Sequence, residues 1–287
     1  MAFAAVLRDE GEQAEALDGY ALASWFLGEV EKGLEMRQRA FAAYAAAGEC
    51  DVAARVGVWI SHQYLDSGRV SLANGWLERA ERVLDGREGG AGHGWVAMER
   101  ARRAGSVEKA AEGARRAMEL GRANGDDDLE IFSLSLIGRS EISGGAFDVG
   151  MRKLEEAMAA ATAGRIRNPH TLGEAYCNLI SACTGAGDWE RAAEWCDVVD
   201  AYASGHAIMP LFGVCRTIHA DMLLASGRWA DAENALEDAL TAFDRGHPGM
   251  RAPTLSRIAS LRVRQGRLAE AEQLLSRREE EPASLLA

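Results

Sequence analysis

The sequence predicts an all-α protein, a right-handed solenoid of about seven antiparallel helical hairpins with a period of about 40 residues. Three observations carry that expectation. A glycine recurs at Gly28, Gly68, Gly105, Gly145, Gly187, Gly227 and Gly266, at intervals of 37 to 42 residues. Fixed columns of small and apolar residues travel with it. No stretch shows the period-two alternation of a half-buried strand.

Each column has a physical reading. Glycine tolerates the positive φ at which one helix ends and the chain turns into the next. Two residues on comes an apolar residue (Val30, Val70, Val107, Phe147, Trp189, Trp229 and Leu268), expected to staple the new helix onto its partner. Five on comes only glycine or alanine, at Gly33, Ala73, Ala110, Gly150, Ala192, Ala232 and Ala271. There two backbones are expected to approach too closely for a larger side chain. Twelve on, Ala40, Ala80, Ala117, Ala157, Val199 and Ala239 fall on the same helical face, and the column ends at Arg278.

The repeats are expected at 14–48, 51–86, 92–121, 128–163, 169–205, 210–245 and 250–280 of a single domain spanning 1–287. Breakers such as GREGGAGHG (86–94), GRANGDDD (121–128), AGRIRNPH (163–170) and RGHPG (245–249) separate them. Asn168 before Pro169 reads as a helix cap with proline at the first helical position. Asp126 to Asp128 similarly favours a helix N-terminus. FAAVLRDE (3–10) and EEEPASLLA (279–287) read as incomplete helical units, as in a fragment of a longer protein or a chain whose ends a partner covers. Uncovered apolar ends make self-association through them an expectation.

Composition narrows the function. With 48% hydrophobic and 26% charged residues the chain is expected to fold, and its net charge of −12 removes the overall basic footprint that grips phosphate backbones. No direct nucleic-acid binding by this region is expected. The five cysteines are scattered and form no CxxC pair, which predicts reduced thiols packed as small apolar groups in a cytoplasmic protein. No apolar run approaches the roughly 20 residues that span a bilayer. The N-terminal MAFAAVLRDE reaches charge too soon for a signal peptide. Chemistry-bearing motifs are absent too. GGAGHG (89–94) lacks the GK[ST] of a P-loop, and Cys215 with His219 supplies only two metal ligands. The expectation is no catalytic residue, no metal, no cofactor, and no enzyme.

GRWADAENALEDAL (227–240) and GRLAEAEQLL (266–275) resemble the turn and second helix of tetratricopeptide repeats. The small residue before the turn has parallels seven positions before the glycine at Ala21, Ser61, Gly138, Ala220 and Ala259. The long period is similar to the sensor regions of actinobacterial LuxR-type transcriptional regulators. CRTIHADMLLASGRWADAENALEDAL (215–240) and RIASLRVRQGRLAEAEQLL (257–275) carry that resemblance most clearly. The helix-turn-helix expected of such a regulator is not among these residues.

The resemblance implies that the first helix of each hairpin lines a concave groove. Its groove-facing positions lie about ten, six, three and two residues before the turn glycine. Transferred to this chain, those positions make Trp25, His62, Trp95, Glu99, Arg139 and Asp221 the candidate ligand-binding residues, acting through stacking and charged hydrogen bonds. The implied function is regulatory. A small-molecule effector or a peptide or protein partner binds in the groove, alters the curvature and shifts an attached output domain. The alternative is a stand-alone scaffold for polypeptide binding or self-assembly, with an enzyme built on the scaffold the less favoured third reading.

Overall fold

A computed structural model describes residues 13–206, 209–244 and 251–280. Among them the chain is helical and contains no strand. In chain order the described residues form fourteen α-helices, seven successive pairs in sequence: α1 (Ala14–Phe26) then α2 (Val30–Ala46), α3 (Cys50–Asp66) then α4 (Val70–Arg82), α5 (Ala91–Arg102) then α6 (Val107–Asn124), and α7 (Asp127–Ser143) then α8 (Phe147–Ala160). A wide π-type turn, Ala161–Arg165, follows α8. Then come α9 (Pro169–Ala186) with α10 (Trp189–His206), α11 (Met209–Ala225) with α12 (Trp229–Asp244), and α13 (Arg251–Arg264) with α14 (Leu268–Glu280). This is the all-α helical-repeat architecture that the glycine period predicts. FAAVLRDE (3–10), RGHPG (245–249) and all but the first two residues of EEEPASLLA (279–287) lie outside the described residues.

Six of the seven turn glycines take positive φ, from 70° at Gly187 to 91° at Gly145. Gly227 shows why. Its N–H reaches the Leu224 carbonyl at 3.2 Å, and the Arg228 N–H reaches back to Leu223 at 2.8 Å. This pair of bonds satisfies the carbonyls that a helix end leaves open, and it requires a left-handed residue between them. The same bonding pattern recurs at Gly28, Gly68, Gly145, Gly187 and Gly266. Gly105 departs from it. Here α5 stops three residues before the glycine, and Ser106 opens α6 by accepting a hydrogen bond from the Lys109 N–H at 3.3 Å.

The small-residue columns do the packing. Ala40, Ala80, Ala117, Ala157, Val199 and Ala239 are all completely buried, as are Ala73, Ala192 and Ala232 in the other column. Gly150 on α8 lies directly against the Gly138 carbonyl of α7, so that a Cβ there would strike backbone. The apolar residue two after the glycine behaves differently from expectation. Val70, Val107, Trp229 and Leu268 are all exposed, Leu268 by 63%. It is the first residue of its helix, about 60° round the axis from the small residue three further on, and no preceding turn shields it. At these four positions the small-residue columns rather than the apolar residue join the helices, whereas Val30, Phe147 and Trp189 are half-buried.

The chain divides into two compact units. The first contains the described residues up to Ala21, then Leu34–His62 and Ser71–Asp188. In it the first helices of successive hairpins contact one another in series, and Trp59, Trp95 and Phe132 fill the space between α3, α5 and α7. Side-chain caps fix the entries. Asp126 accepts from the Leu129 N–H at 3.0 Å to start α7, and Asn168 accepts from the His170 N–H at 3.0 Å to start α9, with Pro169 at the first position. Asp128 accepts from the backbone N–H groups of Arg167 and Asn168, which ties the connection before α9 to the start of α7.

The second unit contains Leu22–Gly33, Gln63–Val70 and the described residues from Trp189 onward. Ala220, Leu223, Ala232, Leu236 and Ile258 form its core between α11, α12 and α13. The Thr217 and Thr254 hydroxyls hydrogen-bond at 2.9 Å across α11 and α13. Cys183, Cys196 and Cys215 are buried, and Cys50 and Cys177 are half-buried. Among the described residues no helix is long and apolar enough to cross a membrane.

The close approach at Gly150 has a measurable consequence. Gly150→Ala is expected to lower unfolding stability by about 1–3 kcal/mol, the usual cost of overpacking a rigid contact. Gly75→Ala, an exposed position on α4 where a Cβ meets nothing within 4 Å, is expected to stabilise by up to about 1 kcal/mol from helix propensity alone. Urea unfolding of both variants checks the contrast.

Candidate functional site

Six residues before the turn glycine, three successive hairpins of the first unit carry an ionisable side chain: His62 on α3, Glu99 on α5 and Arg139 on α7. The serial contact of first helices brings these positions together. Glu99 is fully buried at their centre. A lone carboxylate there would be strongly disfavoured, so its oxygens must be matched by donors. Arg102 donates to both oxygens, from Nε at 3.0 Å and Nη2 at 3.1 Å. Arg103 donates to Oε1 from Nε at 2.7 Å and also from Nη2. His62 Nδ1 lies 3.4 Å from Oε2. Burial pushes the Glu99 carboxyl up, but the hydrogen bond and charge of His62, joined by Arg102, outweigh it and hold the group well below the usual carboxylate range.

Arg103 also ties this centre to the preceding hairpin. Its Nη2 donates to the Ser61 hydroxyl at 2.8 Å, and Ser61 in turn donates to the Ala73 carbonyl on α4. Nη1 reaches the Asn74 side-chain oxygen at 3.3 Å. From the other side α9 contributes Glu174, whose Oε1 lies 3.0 Å from His62 Nε2. Burial acts to raise the Glu174 carboxyl, yet the His62 and Arg102 charges draw it below its ordinary value. Both carboxylates are therefore acceptors only. An imidazole that faces an acceptor through each nitrogen must donate from both, so the arrangement calls for a doubly protonated His62.

Arg139 stands at the edge of this network and is partly buried. Its Nη1 donates to the Asn178 side-chain oxygen on α9 at 3.2 Å, and the Asn178 amide donates to the Ser135 hydroxyl at 3.0 Å. Burial lowers the proton affinity of the guanidinium, Glu174 raises it and Arg102 lowers it, with a net downward shift. Beneath the charged groups lies an aromatic floor. The Trp59 ring packs against His62 (5.1 Å), Trp95 (5.7 Å), Phe132 (6.2 Å) and His170 (5.0 Å). Trp95 Nε1 donates to Asp126 Oδ2 at 2.8 Å, so the residue that caps α7 also anchors the indole.

The six candidates thus fall in different settings. His62 and Glu99 are in direct contact, and Arg139 adjoins them through Glu174 and Asn178. The sequence places Trp95 on an exposed groove wall, whereas the structure buries it completely as part of the floor. His62 and Glu99 are also buried, at 4% and 0% exposure, because each satisfies the other's charge. Trp25 and Asp221 belong to the second unit. Trp25 meets Phe26 edge-on at 4.8 Å, and both Asp221 oxygens lie 2.9 Å from Arg257 Nε. Burial raises the Asp221 carboxyl despite that arginine. Among the described residues no group of three or more His, Cys, Asp or Glu side chains is placed to hold a metal ion.

Glu174, Asn178, Trp59 and His170 belong to the network but not to the sequence-derived set. Glu174 lies thirteen residues before Gly187, two turns earlier than the six-residue position held here by the exposed Ser181. Following the helical stripe N-terminally by the 3.6-residue period would have reached it.

No known protein family and no curated protein matches the chain. Solved structures match it in fold. One is a Signal Transduction ATPase with Numerous Domains (STAND) protein with a tetratricopeptide repeat sensor from Pyrococcus horikoshii, 14% identical with a TM-score of 0.52 over 96% of this chain. This chain spans 43% of that protein's length. Another is a Rap protein in complex with Competence and Sporulation Factor, 15% identical with a TM-score of 0.55, covering 90% of this chain and 76% of that one. At these identities the likeness is one of fold, the tetratricopeptide-like helical repeat.

Removing the central carboxylate tests the network. Glu99→Gln is expected to destabilise by about 3–5 kcal/mol at neutral pH, the range for deleting one partner of a buried ion pair. The folded-state carboxyls of Glu99 and Glu174 lie below their ordinary 4.5, so their stabilisation is present above that pH and lost as pH falls below it. Wild-type and Glu99→Gln unfolding free energies should therefore converge as pH drops below 4.5, followed by urea titration at each pH.

Proposed function

We propose that this chain is a regulatory binding domain, the effector-sensing part of a LuxR-type transcriptional regulator. It holds a small-molecule effector or a short polypeptide against the face built by α3, α5, α7 and α9. The observation that carries this reading is Arg139. An arginine drawn into protein is ordinarily matched by a carboxylate in direct contact. Among the described residues its hydrogen bond goes instead to the neutral Asn178. The Arg139 side chain is half-buried, so part of it is open to the surface. Such a cation, held by a network of fixed geometry, is a pre-organised recognition group.

Two precedents of fold support a sensing role: the repeat region named a sensor in the STAND protein, and the Rap protein bound to Competence and Sporulation Factor. A ligand touching several hairpins at once would bias their relative tilt and so act on an attached output domain. The reading gives the chain no catalytic step. Both nitrogens of His62, the residue best suited to general-base chemistry, already face carboxylates. The net charge of −12 leaves nucleic-acid contact to another part of the regulator.

The test is a thermal-shift screen of the full chain against small acidic metabolites and short acidic peptides, with Arg139→Ala alongside. A true ligand at a hundredfold excess over its Kd adds about 2.7 kcal/mol to stability. It should raise the wild-type Tm and leave that of Arg139→Ala nearly unchanged. A compound that shifts both equally binds elsewhere and removes Arg139 from the site. A ligand with no effect on DNA binding by the intact parent polypeptide would remove the transcriptional part of the reading.

A further inference from the structure

Repeat units in a solenoid ordinarily contact only their neighbours. In the first unit one contact breaks that rule. Trp59 and His62, in the second hairpin, meet His170 and Glu174 in the fifth, so that residues 112 apart in sequence hydrogen-bond across two intervening hairpins. The His62 ring forms the centre of this junction, with Nε2 3.0 Å from Glu174 and Nδ1 3.4 Å from Glu99.

The groups that face His62 set its response to protonation. From α5 comes Glu99, bonded to Arg102 and to Arg103 just past the helix end; from α9 comes Glu174, while His170 packs on Trp59. From α7 come Phe132 and, acting through Glu174, Arg139. On its own helix the ring packs against Trp59. The two carboxylates favour the charged ring, while the arginines and burial oppose it. Glu99 has four other hydrogen bonds from Arg102 and Arg103. The hydrogen bond of Glu174 within this network goes to His62. Loss of one proton therefore acts asymmetrically. Either neutral tautomer turns a ring lone pair toward Glu99 or Glu174, and the attraction between α3 and α9 falls from an ion pair to at most a hydrogen bond from an uncharged ring.

The geometry points to a proton-gated clasp: doubly protonated His62 locks the second hairpin to the fifth, and its deprotonation releases α9 from α3 and loosens the arc between them. The clasp is independent of the binding role of Arg139. No ligand enters its test, so the two can fail separately.

The experiment is hydrogen exchange of the full chain across a pH series, corrected for intrinsic exchange rate and read in peptides covering 169–186. In parallel, imidazole resonances are followed by NMR, with His62 assigned by its absence in His62→Gln. The expected result is an at least fivefold loss of protection in α9 with the midpoint of the His62 resonance. Glu174→Gln, altered at a partly exposed position that leaves Glu99 paired, should show low protection in α9 at every pH and no step. Four results would overturn the clasp. They are protection constant within twofold while His62 titrates, a step that survives in Glu174→Gln, a step that tracks His170 instead, and a His62 that keeps its proton until the chain unfolds. If His62→Gln fails to fold, assignment through Glu174→Gln, which shifts the same resonance, keeps each of these outcomes readable.

Discussion

The first unit is organised around one requirement: a carboxylate buried without solvent must be surrounded by donors. Glu99 meets it with Arg102 of its own helix, Arg103 just past that helix's end and a histidine from the preceding hairpin. Satisfying this group determines where its neighbours can sit. Arg103 must lie over Ser61, which is held to α4; His62 must present Nδ1 inward, which aims Nε2 at α9. The charge of one residue thus sets the relative positions of α3, α4, α5 and α9.

The close packing of backbones makes such a centre attainable. The alanine and glycine columns allow helices to approach until carbonyls of one meet Cα atoms of another, as at Gly138 and Gly150. With the first helices this near, side chains of ordinary length bridge successive hairpins, and some bridge beyond them. The aromatic floor of Trp59, Trp95 and Phe132 excludes water beneath the charged groups, which strengthens each electrostatic contact above it. The second unit uses the same backbone plan with different polar contacts, a threonine pair and an Arg257–Asp221 ion pair between α11 and α13.

Much of the architecture was legible because it depends on local chemistry. Gly227 and its equivalents other than Gly105 take the positive φ that favours glycine, and Ala80 or Ala239 must be small to sit between helices. Counting back from the glycine reached His62, Glu99 and Arg139 for the same reason, since the distance along a helix fixes the face. The count failed where local reasoning stops. Trp229 and Leu268 look like staples in sequence but stand exposed at helix starts. Glu174 escaped because the contact between the second and fifth hairpins falls two turns from where the repeat register would put it.

By itself the sequence determined that the described residues form helices, where most of them turn and which small residues pack between them, because each rests on a residue's own conformational preference or size. Only the tertiary structure decided that His62 and Glu99 are buried partners, that Trp95 is buried against Trp59, and that among the described residues Arg139 hydrogen-bonds Asn178 rather than a carboxylate. Those properties belong to the distance between hairpins. That distance is the sum of small tilts at successive interfaces, which no single repeat encodes.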